Sequence, residues 1–259
     1  MRGVAPEPAR PVFRWRGDGV SRIEGLSDAV FGFAITLVAI SLEVPRTAPE
    51  LLRNAVGFIP FVASFLVLFF MWRAQFEYFR RYGLEDDTTL WLTGLLLVCV
   101  LSLIYPLKFL LNVFTDAVVA GDVAKDRLRL EQLPAVLALY AGSLTGIGLA
   151  FGLLYRHALR VGDRLDLTEL EAFETRVMQW RWLRLALVCG LLLAWCATLL
   201  SLGDHMRARD GVYQAVFRGG SLVVVASALL QVLFRRRAMR ERDALVARLA
   251  ALPAAELSV

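Results

Sequence analysis

The chain has 259 residues, 58% of them hydrophobic, and a mean hydropathy of +0.57, which is more apolar surface than a soluble domain can hide beneath a polar coat. This excludes an ordinary soluble enzyme or binding domain and predicts an integral membrane protein. The net charge of +5 comes from arginine-rich loops beside the apolar runs; such loops meet anionic lipid headgroups, and the charge requires no nucleic-acid partner.

The first stretch, MRGVAPEPARPVFRWRGDGV, is rich in Pro, Gly and Arg. It lacks the apolar core of about 7–15 residues that a secretory signal carries, so residues 1–20 read as a flexible cytoplasmic arm. Six apolar runs of bilayer-spanning length, about 20 residues each, follow at 26–44, 55–72, 89–111, 133–155, 183–202 and 212–234. The expected fold is all-α, with six transmembrane helices in one domain over residues 21–235 and a cytoplasmic tail over 236–259. The six-span unit has no internal duplication.

Orientation follows from Lys and Arg in alternate loops. Twenty lie on the side of the N-terminus and eight on the other. Both termini are therefore expected in the cytoplasm of a cell-membrane protein. Between the fourth and fifth spans, HALRVGDRLDLTELEAFETRVMQWRW reads as an amphipathic, arginine-edged cytoplasmic helix on the membrane surface. In the fourth span, Gly142, Gly146, Gly148 and Gly152 recur at spacings that permit close helix packing.

Chemistry-bearing constellations are missing from the sequence. It contains no phosphate-binding glycine loop, nucleophile elbow or HExxH, so no enzymatic activity and no cofactor are expected. Cys99, Cys189 and Cys196 all fall within spans, where cysteine acts as a small hydrophobe. His157 and His205 read as isolated loop residues without metal-ligand spacing.

The first span, RIEGLSDAVFGFAITLVAISL from Arg22, carries charge where a bilayer helix should not. A charged group at bilayer depth costs at least ~2.5 kcal/mol unless it is interfacial, paired or functional. Ser21 and Glu24 form an S-x-x-E capping box, which starts the helix at Ser21 with Arg22 in its first turn. At about 100° per residue, Leu26, Phe33, Leu37 and Ile40 form one apolar stripe with Arg22 beneath it. Glu24 and Asp28 fall on the opposite side. The stripe and the acidic pair cannot share one environment.

Arg22, Ser27 and Asp28 in R-I-E-G-L-S-D, with the AVFGFAITLVAISLEVP that follows, resemble the Arg-x-x-x-Phe-Ser-Asp signature and first helix of the transmembrane protein 175 family. FFMWRAQFEYFRRY and LWLTGLLLVCVLSLIYPLKFLL are similar to its second and third helices, with Trp72 at the family's tryptophan and Pro106 in a late proline position. Leu26 replaces the signature's Phe, Gln75 or Phe76 a histidine that follows the tryptophan, and Phe33 a smaller aliphatic. The resemblance implies a potassium-permeable channel, a homotetramer whose first helices line a central pore with rings of apolar side chains. By motif position the rings fall on Phe33, Leu37 and Ile40, with Thr36 on the flank that some members use for cation preference. It further implies a bracing network of Arg22, Ser27, Asp28 and Trp72. On this view Asp28 braces the helix, Arg22 pairs with Glu24 or Asp28, and the permeant potassium ion is the only ligand. The rival classes are a secondary transporter, which predicts inverted repeats and broken helices in matching halves, and a structural or lipid-interacting membrane protein that conducts nothing.

Overall fold

A computed structural model describes residues 13–17, 19–40, 46–49, 58–119 and 132–206, together with 237, 240, 241, 244 and 246. The sixth run, 212–234, and nearly all of the tail lie outside the described residues. Those that are described form helices α1 (Arg22–Ile40), α2 (Phe58–Tyr82), α3 (Asp87–Val119), α4 (Leu133–Arg160) and α5 (Glu169–Met206). Each contains a stretch long and apolar enough to cross a bilayer.

The helix starts follow from local chemistry. The Glu24 amide donates to Ser21 Oγ at 3.0 Å, so Ser21 caps α1 as an N-cap hydroxyl should. The reciprocal half of the box is absent: the Glu24 carboxylate is buried and faces Arg80 at 3.5 Å. α2 ends at Gly83, whose φ of +58° and amide bond to Phe79 O at 2.8 Å make a left-handed helix stop. Asp86 caps α3 through the Thr89 amide at 3.0 Å. α5 begins on a complete capping box, with the Thr168 amide on Glu171 Oε2 at 3.0 Å and the Glu171 amide on Thr168 Oγ1 at 3.3 Å.

That second box corrects the expectation for the 157–182 connector. No separate surface helix forms there. Residues up to Arg160 extend α4, a turn over 161–168 follows with Asp166 at a φ of 47°, and α5 runs unbroken from Glu169 into the fifth span. Between Thr168 and Gly190 no Gly or Pro interrupts the helix, so nothing separates the amphipathic segment from the apolar one. At 38 residues α5 is about 57 Å long, well beyond the hydrocarbon thickness of about 30 Å, and its polar first turns project past the membrane.

Helices α1, α2 and α3 contact one another, α3 also packs on α4, and α4 with α5 forms the most extensive pair. The core joins Phe31 of α1, Leu68, Tyr78 and Tyr82 of α2, Leu96 and Val100 of α3, and Ile147, Phe151 and Leu154 of α4, all essentially buried. Tyr140 of α4 donates to the Pro106 carbonyl of α3 and ties the two helices together.

His157 is not an isolated loop residue. It sits in the last turns of α4, with Nε2 2.5 Å from Asp86 Oδ2, and ties α4 to the α2–α3 turn; His205 lies near the end of α5. Partial burial tends to raise the Asp86 pKa, but the bond from the Thr89 amide and the contact with His157 outweigh it and hold the carboxyl below its usual range. A carboxyl whose folded pKa is depressed adds stability above its unfolded value of about 3.9, and that stability fades as the pH falls through the folded value. Asp86→Ala should cost about 0.5–2 kcal/mol at pH 7, as cap losses do, with the charge adding only a small part because the carboxylate is 43% exposed and screened by solvent; Asp86→Asn, which keeps the capping oxygen, should cost less. Thermal melting of the detergent-solubilised protein checks this; a gap between wild type and Asp86→Ala that persists undiminished in strong acid would contradict it.

Candidate functional site: the two faces of the first helix

α1 has two unlike sides. Ile23, Glu24, Ser27, Phe31, Ala34 and Val38 are buried against the rest of the protein. Phe33, Leu37 and Ile40, at 61%, 42% and 73% exposure, are left uncovered, with Leu26, Ala29 and Thr36 beside them. The hydroxyl of Thr36 donates to Gly32 O at 2.8 Å, so it is satisfied within its own helix. The apolar stripe is the side of α1 that the chain's other described helices do not cover.

The signature residues divide between the two sides. Ser27 is buried; its hydroxyl donates to Ile23 O at 2.8 Å and accepts from Gln75 Nε2 at 2.8 Å. Asp28 lies on the exposed flank, where Oδ1 accepts from Trp72 Nε1 at 2.7 Å. The structure thus brings Ser27, Asp28 and Trp72 into one α1–α2 junction. It does not bring Arg22 into it. Arg22 is exposed, while the described partner of Glu24 is Arg80 and that of Asp28 is Trp72. The expected pairing of Arg22 with either carboxylate gives way because Glu24 turns towards α2 and Asp28 towards the indole.

Trp72 belongs to an aromatic file along α2. Its ring lies 5.6 Å from Phe69 and stacks on Phe76 at 5.7 Å, Phe65 stacks on Phe69 at 6.1 Å, and the Arg80 guanidinium sits 5.3 Å over Phe76. The file fixes the indole that holds Asp28.

Two groups escaped sequence reasoning. Gln75, one turn beyond Trp72, was legible only as a departure from the histidine of the family. Arg80 carried no signal, because only the fold sets it opposite Glu24.

The arrangement defines a bundle of membrane-crossing helices in which α1 turns its apolar stripe outward beside a hydrogen-bonded junction with α2, while Phe70 of α2, Trp91 and Val98 of α3 and Leu187 of α5 are likewise uncovered. Residues 22–104 match the family model described as endosomal/lysosomal potassium channel TMEM175. A potassium channel of Marivirga tractuosa is 33% identical over 173 residues, 64% of this chain and 70% of its own length. A potassium channel of Streptomyces collinus is 29% identical over 151 residues, 56% of this chain and 67% of its own. A crystal structure of a variant of the potassium channel MtTMEM175, bound to a nanobody fusion protein, superposes with a TM-score of 0.73 at 27% identity, covering 92% of this chain and all of that one. The chain belongs to the transmembrane protein 175 family, whose members named here are potassium channels and not enzymes.

Proposed function

We propose that the protein is a potassium-permeable channel of the cell membrane, a homotetramer in which four copies of α1 surround the ion path. Phe33, Leu37 and Ile40 form its apolar neck, and Thr36 flanks it. The observation that carries this reading is the uncovered stripe on α1, opposite a face packed and hydrogen-bonded to α2. One stripe cannot enclose a path, whereas four around an axis can. Apolar constrictions of this kind control permeation by losing their water. Six spans per subunit, the last at 212–234, put both termini in the cytoplasm, in keeping with the arginine bias of the loops. Potassium is the permeant ligand, and no cofactor takes part.

Potassium flux from liposomes holding the purified protein, with sodium gradients run in parallel, tests conduction; silence in both would favour a structural membrane protein. Assembly has its own test. With Cys99, Cys189 and Cys196 replaced, Leu37→Cys should cross-link between subunits. Thr198→Cys, exposed on α5, should not. A monodisperse monomer in mild detergent would defeat the tetramer.

A further inference from the structure

Residues 13–17, FRWRG, fall within the stretch expected to be a flexible arm, yet they are strapped across the cytoplasmic end of the bundle. The Arg16 and Gly17 amides both donate to Arg80 O at the end of α2, at 3.0 and 3.2 Å. A Cβ on Gly17 would lie 2.8 Å from Phe79 O, and one on Gly83 would lie 3.0 Å from Arg16 O, so glycine on both sides lets the two chains meet. Phe13 packs edge-on against Tyr82 at 5.7 Å, with the Arg81 guanidinium 4.7 Å above its ring.

Arg16 is the anchor. Its guanidinium donates to Leu165 O at 2.7 Å, Asp166 O at 3.1 Å and Glu171 Oε2 at 2.7 Å. The Arg14 amide takes Glu171 Oε1 at 2.8 Å, and the Glu171 side chain is only 4% exposed. One buried carboxylate therefore starts α5 and holds the strap, five residues ahead of the first turn of α1. Such charge-assisted, multiply shared bonds fix geometry as well as adding energy. A planar fork spanning three acceptors suits arginine and not lysine.

We infer that Arg16 and Glu171 are positioning residues for conduction: the strap ties the cytoplasmic end of α1 to the α4–α5 turn and so limits the excursions of the neck. The inference rests on the proposal that α1 lines the path. Permeation through an apolar neck rises steeply with its width, so a wider spread of α1 positions increases mean flux even when the mean position is unchanged. Releasing the strap therefore raises flux and weakens the preference for potassium over sodium.

The test compares Arg16→Ala, Glu171→Ala and the charge-exchanged Arg16→Glu/Glu171→Arg protein in liposome flux. Trypsin cleavage of the arm in detergent, followed by an N-terminal tag, is read alongside. Each single variant should expose the arm to cleavage and raise potassium flux by about 2- to 30-fold, the span that coupling residues command. The exchanged pair should recover part of both effects. If Arg16→Ala fails to fold, Arg16→Lys provides the graded version, keeping charge but losing the fork. An arm that is freed while flux and ion preference stay at wild-type values overturns the inference. So does altered flux with the arm still protected. Phe33→Ala separates the two claims: if it changes flux and Arg16→Ala does not, the strap alone fails, whereas if it changes nothing, the α1 pore fails and the strap proposal with it.

Discussion

Phe33→Ala is expected to raise potassium flux by about tenfold, the effect of removing ~1.4 kcal/mol from the barrier, and to lower the preference for potassium over sodium. The phenyl ring is held out from the chain at 61% exposure, and among the described residues none packs around it enough to make its loss costly to the fold. On the proposed reading, four such rings force an ion to shed water in an apolar neck. Alanine widens that neck and lets water through with the ion. Two residues earlier, Phe31 is 1% exposed and part of the core. Phe31→Ala should therefore cost about 3–5 kcal/mol, as buried Phe truncations do, without opening the path. Liposome flux and thermal melting on the same two variants give the opposed outcomes. Unchanged flux through a folded Phe33→Ala oligomer would mean that this stripe faces lipid.

The contrast between Phe31 and Phe33 was legible in the sequence because a helix of known period separates neighbouring residues by angle alone. Five of the six spans were legible for the same kind of reason: length and hydropathy suffice where the surrounding solvent is hydrocarbon. What the pattern could not supply were partners. Ser21-x-x-Glu24 and Thr168-x-x-Glu171 are the same local motif, yet only the second closes on itself. Glu24 is drawn off by Arg80 because the fold buries it against α2. Arg22 is expected to pair with a carboxylate because a ring of arginines at the inner mouth would oppose cation entry, but in the structure both donors come from α2, Arg80 for Glu24 and Trp72 for Asp28. The arm looked flexible because Pro, Gly and Arg are linker residues. Its fixed part depends on Glu171 and Asp166, about 150 positions away, which no local signal links to it.

The second large effect is expected at the contact between α4 and α5. A Cβ on Gly148 would lie 2.8 Å from the Ala186 amide nitrogen, 2.9 Å from Trp182 O and 3.0 Å from Ala186 Cβ. Two of those are backbone atoms, which cannot rotate away, so the helices must part. Parting them loosens the stack of Phe151 on Trp182, whose rings lie 4.2 Å apart. Gly148→Ala should cost about 1–3 kcal/mol, the usual range for overpacking, and Gly148→Leu more. Gly152 and Gly146 should be milder, because a Cβ there meets the flexible side chains of Leu183 and Cys99. Gly142 meets nothing within 4 Å, so Gly142→Ala should be neutral or gain the roughly 0.5–1 kcal/mol that alanine holds over glycine in a helix. The four glycines looked alike in the sequence and should separate into three classes in a melting series. Because α5 begins at the residues that hold the strap, Gly148→Ala should also free the arm to trypsin in proportion to its destabilisation. If Gly148→Ala melts with the wild type, the two helices are not held at the separation their contacts define, and the link from α5 through Glu171 to α1 loses its rigid base.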